Sequence, residues 1–91
     1  MDVYEENAIN FFEIGSLYEK QNMGSQAIYV LDGYDYQYSR TIHYKEIFLV
    51  IGKDSDRMFK RSILKILHNG QIGVLFGFEN LALVEQYRKI S

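Results

Sequence analysis

The stretch Leu64–Phe76, "LKILHNGQIGVLF", sets an Asn-Gly pair between two short apolar runs. Asn69 and Gly70 both tolerate the positive φ that a type I′ turn demands at its two central positions. The segment therefore predicts a tight antiparallel hairpin. Gly73, just after the turn, and Gly77, at the end of the second run, are expected to let a strand bend sharply or accept a bulge, as a small closed barrel requires.

Working outward, proline is absent and seven glycines punctuate runs rich in Ile, Val, Tyr, Phe and Leu. The runs are "FFEIGSLYEK" (11–20), "QAIYVLDG" (26–33), "KEIFLVIGKD" (45–54), "SILKILHNGQIGVLFG" (62–77) and "LALVEQY" (81–87). This punctuation reads as a mainly β chain of five short strands. Two segments carry a competing helical spacing. In "DVYEENAINFFEIG" the residues Val3, Tyr4, Ala8, Ile9, Phe11 and Phe12 form a stripe, so residues 1–10 are read as an extension or a short helix ahead of one domain over 11–91. In "KDSDRMFKRSILKIL" the spacing of Met58, Phe59, Ile63, Leu64, Ile66 and Leu67 is also helical. Pairing of "SILKIL" across Asn69-Gly70 favours a loop followed by a strand.

A chain of 91 residues is one domain's worth of hydrophobic core. It has no cysteine, hence no disulfide and no thiolate metal site, which suits a reducing interior. Its first ten residues are acidic and polar, unlike a signal peptide, and no apolar run approaches the roughly 18 residues of a membrane span. A cytoplasmic protein with no membrane partner is expected. Net charge is −2, too small for a generic nucleic-acid binder or a DNA mimic. That average conceals acidic residues concentrated in 1–40 and basic residues in 41–91. The two halves either pair with each other on folding or offer faces of opposite sign to a partner.

Taken together, "FEIGSLYE", "AIYVLDG", "FLVIGKD", "LKILHNGQIGVLF" and "LALVE" resemble the SH3-like small β-barrels found as stand-alone accessory proteins of tailed bacteriophages. The similarity rests on Gly15-Ser16 followed by Leu17, on "LVIG" at Leu49–Gly52 leading into a charged loop, on Leu67, Asn69, Gly70, Ile72, Gly73 and Val74 in the hairpin, and on Leu81 and Val84 in the last run. It spans roughly residues 11–86, and its motifs specify architecture. The chain departs from the family at Val74, where a tryptophan is common. The resemblance implies an SH3-like five-stranded barrel and a small phage protein that binds, and inhibits or redirects, a host protein.

Catalytic equipment is sparse. His43 and His68 stand apart from any metal-ligand spacing or nucleophile setting, and neither GxGxxG nor GxxxxGK[ST] occurs. Asp54 and Asp56 sit among Lys53 and Arg57, which neutralise them. No enzyme activity, cofactor or metal is expected. Two stretches carry binding chemistry. Tyr34, Tyr36 and Tyr38 alternate with Asp35 and Gln37, so on a strand they share one face. Turned inward they are core; turned outward they offer rigid contact area at low entropic cost, with His43 and Tyr44 nearby. The second stretch sets Lys53, Arg57, Lys60, Arg61 and Lys65 around Phe59, a surface able to orient an acidic partner or to hold a nucleic-acid strand. The leading reading is an interaction protein whose host partner meets Tyr34, Tyr36, Tyr38, His43, Tyr44, Arg57, Phe59, Lys60 and Arg61. An RNA- or single-stranded-DNA-binding barrel is the alternative, and self-association through the tyrosines is a third.

Overall fold

The computed structural model describes residues 9–56, 61–76 and 81–91. The Asn-Gly hairpin is formed: Asn69 has φ 52° and Gly70 φ 76°. They join β5 (Arg61–His68) to β6 (Gln71–Leu75), paired without a break from His68↔Gln71 to Leu64↔Leu75. Gly73 accepts no bulge. Its purpose is close approach, because a Cβ there would collide with Cγ2 of Ile28 and lie 3.3 Å from the Tyr29 carbonyl oxygen. Gly77 lies outside the described residues.

Among the described residues seven strands form, not five. The others are β1 (Leu17–Lys20), β2 (Gln26–Asp32), β3 (Asp35–Ile42), β4 (Ile47–Asp56) and β7 (Tyr87–Lys89). The additional strands have local causes. Gly33, with φ 66°, turns the chain back so that the tyrosine-rich segment becomes β3 beside β2. The Asn69-Gly70 turn divides the longest run into β5 and β6. The run 11–20 is strand only from Leu17 onward. The run 81–87 is a 3₁₀ helix over Leu81–Gln86 before β7. The helical spacing of 53–67 yields to strands up to Asp56 and from Arg61. The helix considered for 1–10 falls, apart from Ile9 and Asn10, outside the described residues.

All seven strands belong to one antiparallel sheet in the order β3-β2-β6-β5-β4-β1-β7. Among the described residues the sheet is not closed, and β3 and β7 are its edges. One face carries the core. Near β7 it is aromatic, with Phe12 against Tyr18 at 4.9 Å and Phe48 against Tyr87 at 5.5 Å between ring centroids. Toward β3 it is aliphatic, built from Ile28, Ile42, Val50, Leu64, Ile66 and Leu75. The unequal charge of the two halves is partly resolved internally, since Arg88 meets Glu19 and Lys89 meets Glu13. Among the described residues no helix is long and apolar enough to cross a membrane.

Candidate interaction surface

The tyrosine strip is organised by the β2–β3 hairpin. Asp32 pairs with Asp35 across Gly33-Tyr34, and positive φ at Gly33 alone of the two matches the glycine-first demand of a type II′ turn. Tyr34 therefore leaves the strand and stands at the hairpin tip, 97% exposed. Tyr36 and Tyr38 do alternate as the period of two requires. They lie opposite Leu31 and Tyr29, so all four side chains share the face turned away from the core. The three tyrosines are thus not one row, and none is core.

That outer face is a second apolar layer. The Tyr36 ring meets Phe76 edge-on at 4.9 Å, and Tyr29 lies between Phe76 at 5.4 Å and Tyr38 at 6.3 Å. The Tyr38 hydroxyl shares a 2.6 Å hydrogen bond with Oγ1 of Thr41, which fixes its ring at the edge. Pairing of Tyr29 with Val74 carries the layer onto β6, where Ile72 joins it. Tyr29, Leu31, Tyr36, Ile72 and Val74 line a cleft of about 420 Å³. Its rim includes Lys65 and Asp54, whose charged groups are 3.7 Å apart. Leu31, Tyr38 and Ile72 are each more than 60% exposed.

The other end of β3 is polar and anchored. A register shift between Ile28↔Arg40 and Tyr29↔Tyr38 leaves Ser39 as a bulge and returns Arg40 to the core face. Arg40 donates through Nε to Nδ1 of the buried His68 at 3.1 Å, and through Nη2 to the carbonyls of His68 and Gln71, both at 3.0 Å. Nε2 of His68 lies 3.5 Å from Glu46. The backbone N–H of His43, which donates to Glu46 at 2.6 Å, is the main cause holding that carboxyl below the usual glutamate range. His68 stands at the end of β5, buried and bonded through Nδ1, which its place in the sequence did not reveal.

The expected binding residues therefore scatter. His43 and Tyr44 are exposed beyond the opposite end of β3 from Tyr34, and Lys45 Nζ lies 5.3 Å from the centre of the Tyr44 ring. They do not join the Tyr36–Tyr38 face. Arg57, Phe59 and Lys60 fall outside the described residues, and of Arg61 only the backbone, opposite Asp56, is described. The residues missed are Tyr29, Leu31, Ile72 and Phe76. The alternation "AIYVLD" held the signal for the first two, because Ile28 inward requires Tyr29 and Leu31 outward.

Far from this face, Lys20 is enclosed within the core side of the sheet. Its ammonium donates to Asn22 Oδ1 and, at 3.4 Å, to Gln86 Oε1, and it lies 5.7 Å from the centre of the Tyr87 ring. Burial lowers its pKa and raises that of Tyr87, whose hydroxyl has no hydrogen-bond partner among the described residues. No group of three His, Cys, Asp or Glu side chains suited to a metal ion occurs among the described residues. No known protein family matches the chain, and no curated protein or solved structure is significantly similar to it.

Proposed function

We propose that this chain is a small, non-enzymatic interaction protein of the phage accessory type, built on an SH3-like arrangement of its sheet, and that a host protein docks on the outer face of β2, β3 and β6. The observation that carries the reading is the exposed apolar layer of Leu31, Tyr38 and Ile72 around the aromatic cleft. An apolar patch lined by rigid tyrosines matches the centre of a protein interface. Occupying a host surface in this way inhibits or redirects the host protein. The nucleic-acid reading is weaker at this site: exposed Asp32 and Asp35 flank Tyr34 and would repel a phosphate backbone.

The test is capture from bacterial lysate by the tagged protein, with and without nuclease, comparing wild type with Ile72→Asp and with Met23→Asp as a control on the β1–β2 connection. A host protein that survives nuclease, is held by wild type and Met23→Asp, and is reduced at least tenfold by Ile72→Asp is expected. Nuclease-sensitive capture would transfer the function to nucleic acid.

A further inference from the structure

The end of β3 beyond its bulge is held by a buried imidazole whose proton the surrounding donors place. His68, 2% exposed, accepts at Nδ1 from Arg40 Nε, 3.1 Å away. A guanidinium donates and never accepts, so Nδ1 must offer a lone pair and the single ring proton must sit on Nε2. That Nε2–H is buried, has no hydrogen-bond partner among the described residues, and lies 3.5 Å from Oε2 of Glu46. In this arrangement the ring is neutral, saturated on the Arg40 side and unsatisfied on the Glu46 side.

We propose that His68 is a proton-operated clasp, in which a second proton transfers the ring from Arg40 to Glu46 and releases the Arg40–Ile42 end of β3. Imidazole is the side chain suited to this, because it changes charge near neutrality. The second proton can enter only at Nδ1, where the Arg40 Nε–H already points. Two donors carried by two cations then oppose each other, and that bond is lost. On the other side the cationic ring gains a charge-assisted bond from Nε2–H to the Glu46 carboxylate, closing the 3.5 Å gap. Glu46 is prepared to accept it, since the bond from the His43 amide favours its ionised form. Arg40 matters to β3 because it ties that strand, across β2, to the carbonyls of His68 and Gln71 that flank the β5–β6 turn.

The charges around the ring support the exchange. β3 presents the Arg40 guanidinium, and the connection from β3 to β4 presents the Glu46 carboxylate, on which His43 also acts. β6 supplies the Gln71 carbonyl, already taken by Arg40. The core-face residues of β2 and β4 here, Ile28, Phe48 and Val50, are uncharged. The Lys20 ammonium of β1 is turned to Asn22 and Gln86, and Lys65 on β5 itself is engaged with Asp54. Among the described residues, one cation and one anion thus meet the ring, at its two different nitrogens. The clasp lies on the core side of the sheet and stands independently of a host protein on the outer face.

Nitrogen NMR of the histidine rings across a pH series, with exposed His43 as the internal reference, tests the clasp in the intact protein. Neutral His68 is expected to be the Nε2–H tautomer. As it takes its second proton, the Arg40 Nε–H should lose its hydrogen-bonded signal and the Arg40–Ile42 amides should exchange about tenfold faster. Leu64 and Ile66 in the sheet should stay protected, which separates local release from unfolding. Glu46→Gln should move the step to lower pH, because the imidazolium loses its anionic partner. In Arg40→Met the same amides should exchange fast at every pH and no longer respond to the ring. A neutral ring protonated at Nδ1 overturns the proposal. So does a ring that takes no second proton while the sheet is folded, or one whose protonation leaves the Arg40–Ile42 amides unchanged.

Discussion

Lys20 shows what a single residue can conceal. In "SLYEK" it is one charge among others, yet its pairing with Tyr87 brings it beside an aromatic core. Its folded pKa lies below the usual 10.5, so the protonated form is the one that burial penalises. The penalty is present in full below the folded pKa and is relieved as pH rises from there toward 10.5. Lys20→Met is therefore expected to stabilise the protein by about 1 kcal/mol at pH 7, with a gain that shrinks toward pH 10.5, as read from denaturant unfolding. A loss of stability at both pH values would mean that the bonds to Asn22 and Gln86 outweigh the cost of burial. The charge of this residue was legible in the sequence; its burial was not, because a strand partner 67 positions downstream decides it.

At the level of elements, local turn chemistry carried most of the information. Asn69-Gly70 fixed one hairpin because its two positive-φ positions are properties of the residues themselves. The Gly33-Tyr34 turn has the same origin, and it made a strand of a segment whose place between the main strands was open. The run "LALVEQY" misled, since short apolar runs fit a 3₁₀ helix and a strand equally well and packing chooses between them. Gly73 was read as a bend and proved to be a point of contact between β6 and β2. Gly73→Ala should lower stability by about 1–3 kcal/mol, since the new methyl group meets Ile28 and a rigid backbone carbonyl. An unchanged melting temperature would show that β2 can move aside. The same contact explains how the outer face is aligned: β2 and β6 meet closely at Ile28 and Gly73, and their next residues, Tyr29 and Val74, form the floor of the cleft.

For the whole molecule, the acidic and basic halves of the chain meet through Glu19 with Arg88 and Glu13 with Lys89. The sequence left open whether these halves would pair internally or face outward, and part of the charge does pair. Two carboxyls are held below their ordinary value of 4.5: Glu13 by its hydrogen bond from Lys89, and Glu46 chiefly by the His43 amide. Groups with depressed folded values stabilise the protein above the unfolded value and lose that contribution as pH falls through the folded one. Denaturant midpoints measured from pH 6 to pH 3 should fall below about pH 4.5, and Glu46→Gln should flatten the fall. A midpoint independent of pH across that range would remove these carboxyls from the stability of the fold. The candidate surface was legible only in outline at this scale, because it combines β2, β3 and β6, and strand order is not written in any one of them.

The two rims of the sheet differ in length, β3 with eight residues and β7 with three. Arg88 and Lys89 on the short rim are already engaged by Glu19 and Glu13. A short, charged margin is a poor template for further strands. Were a strand to add to the long rim, the short one would offer little for the next to pair with, so the described sheet is poorly built for open-ended filament growth.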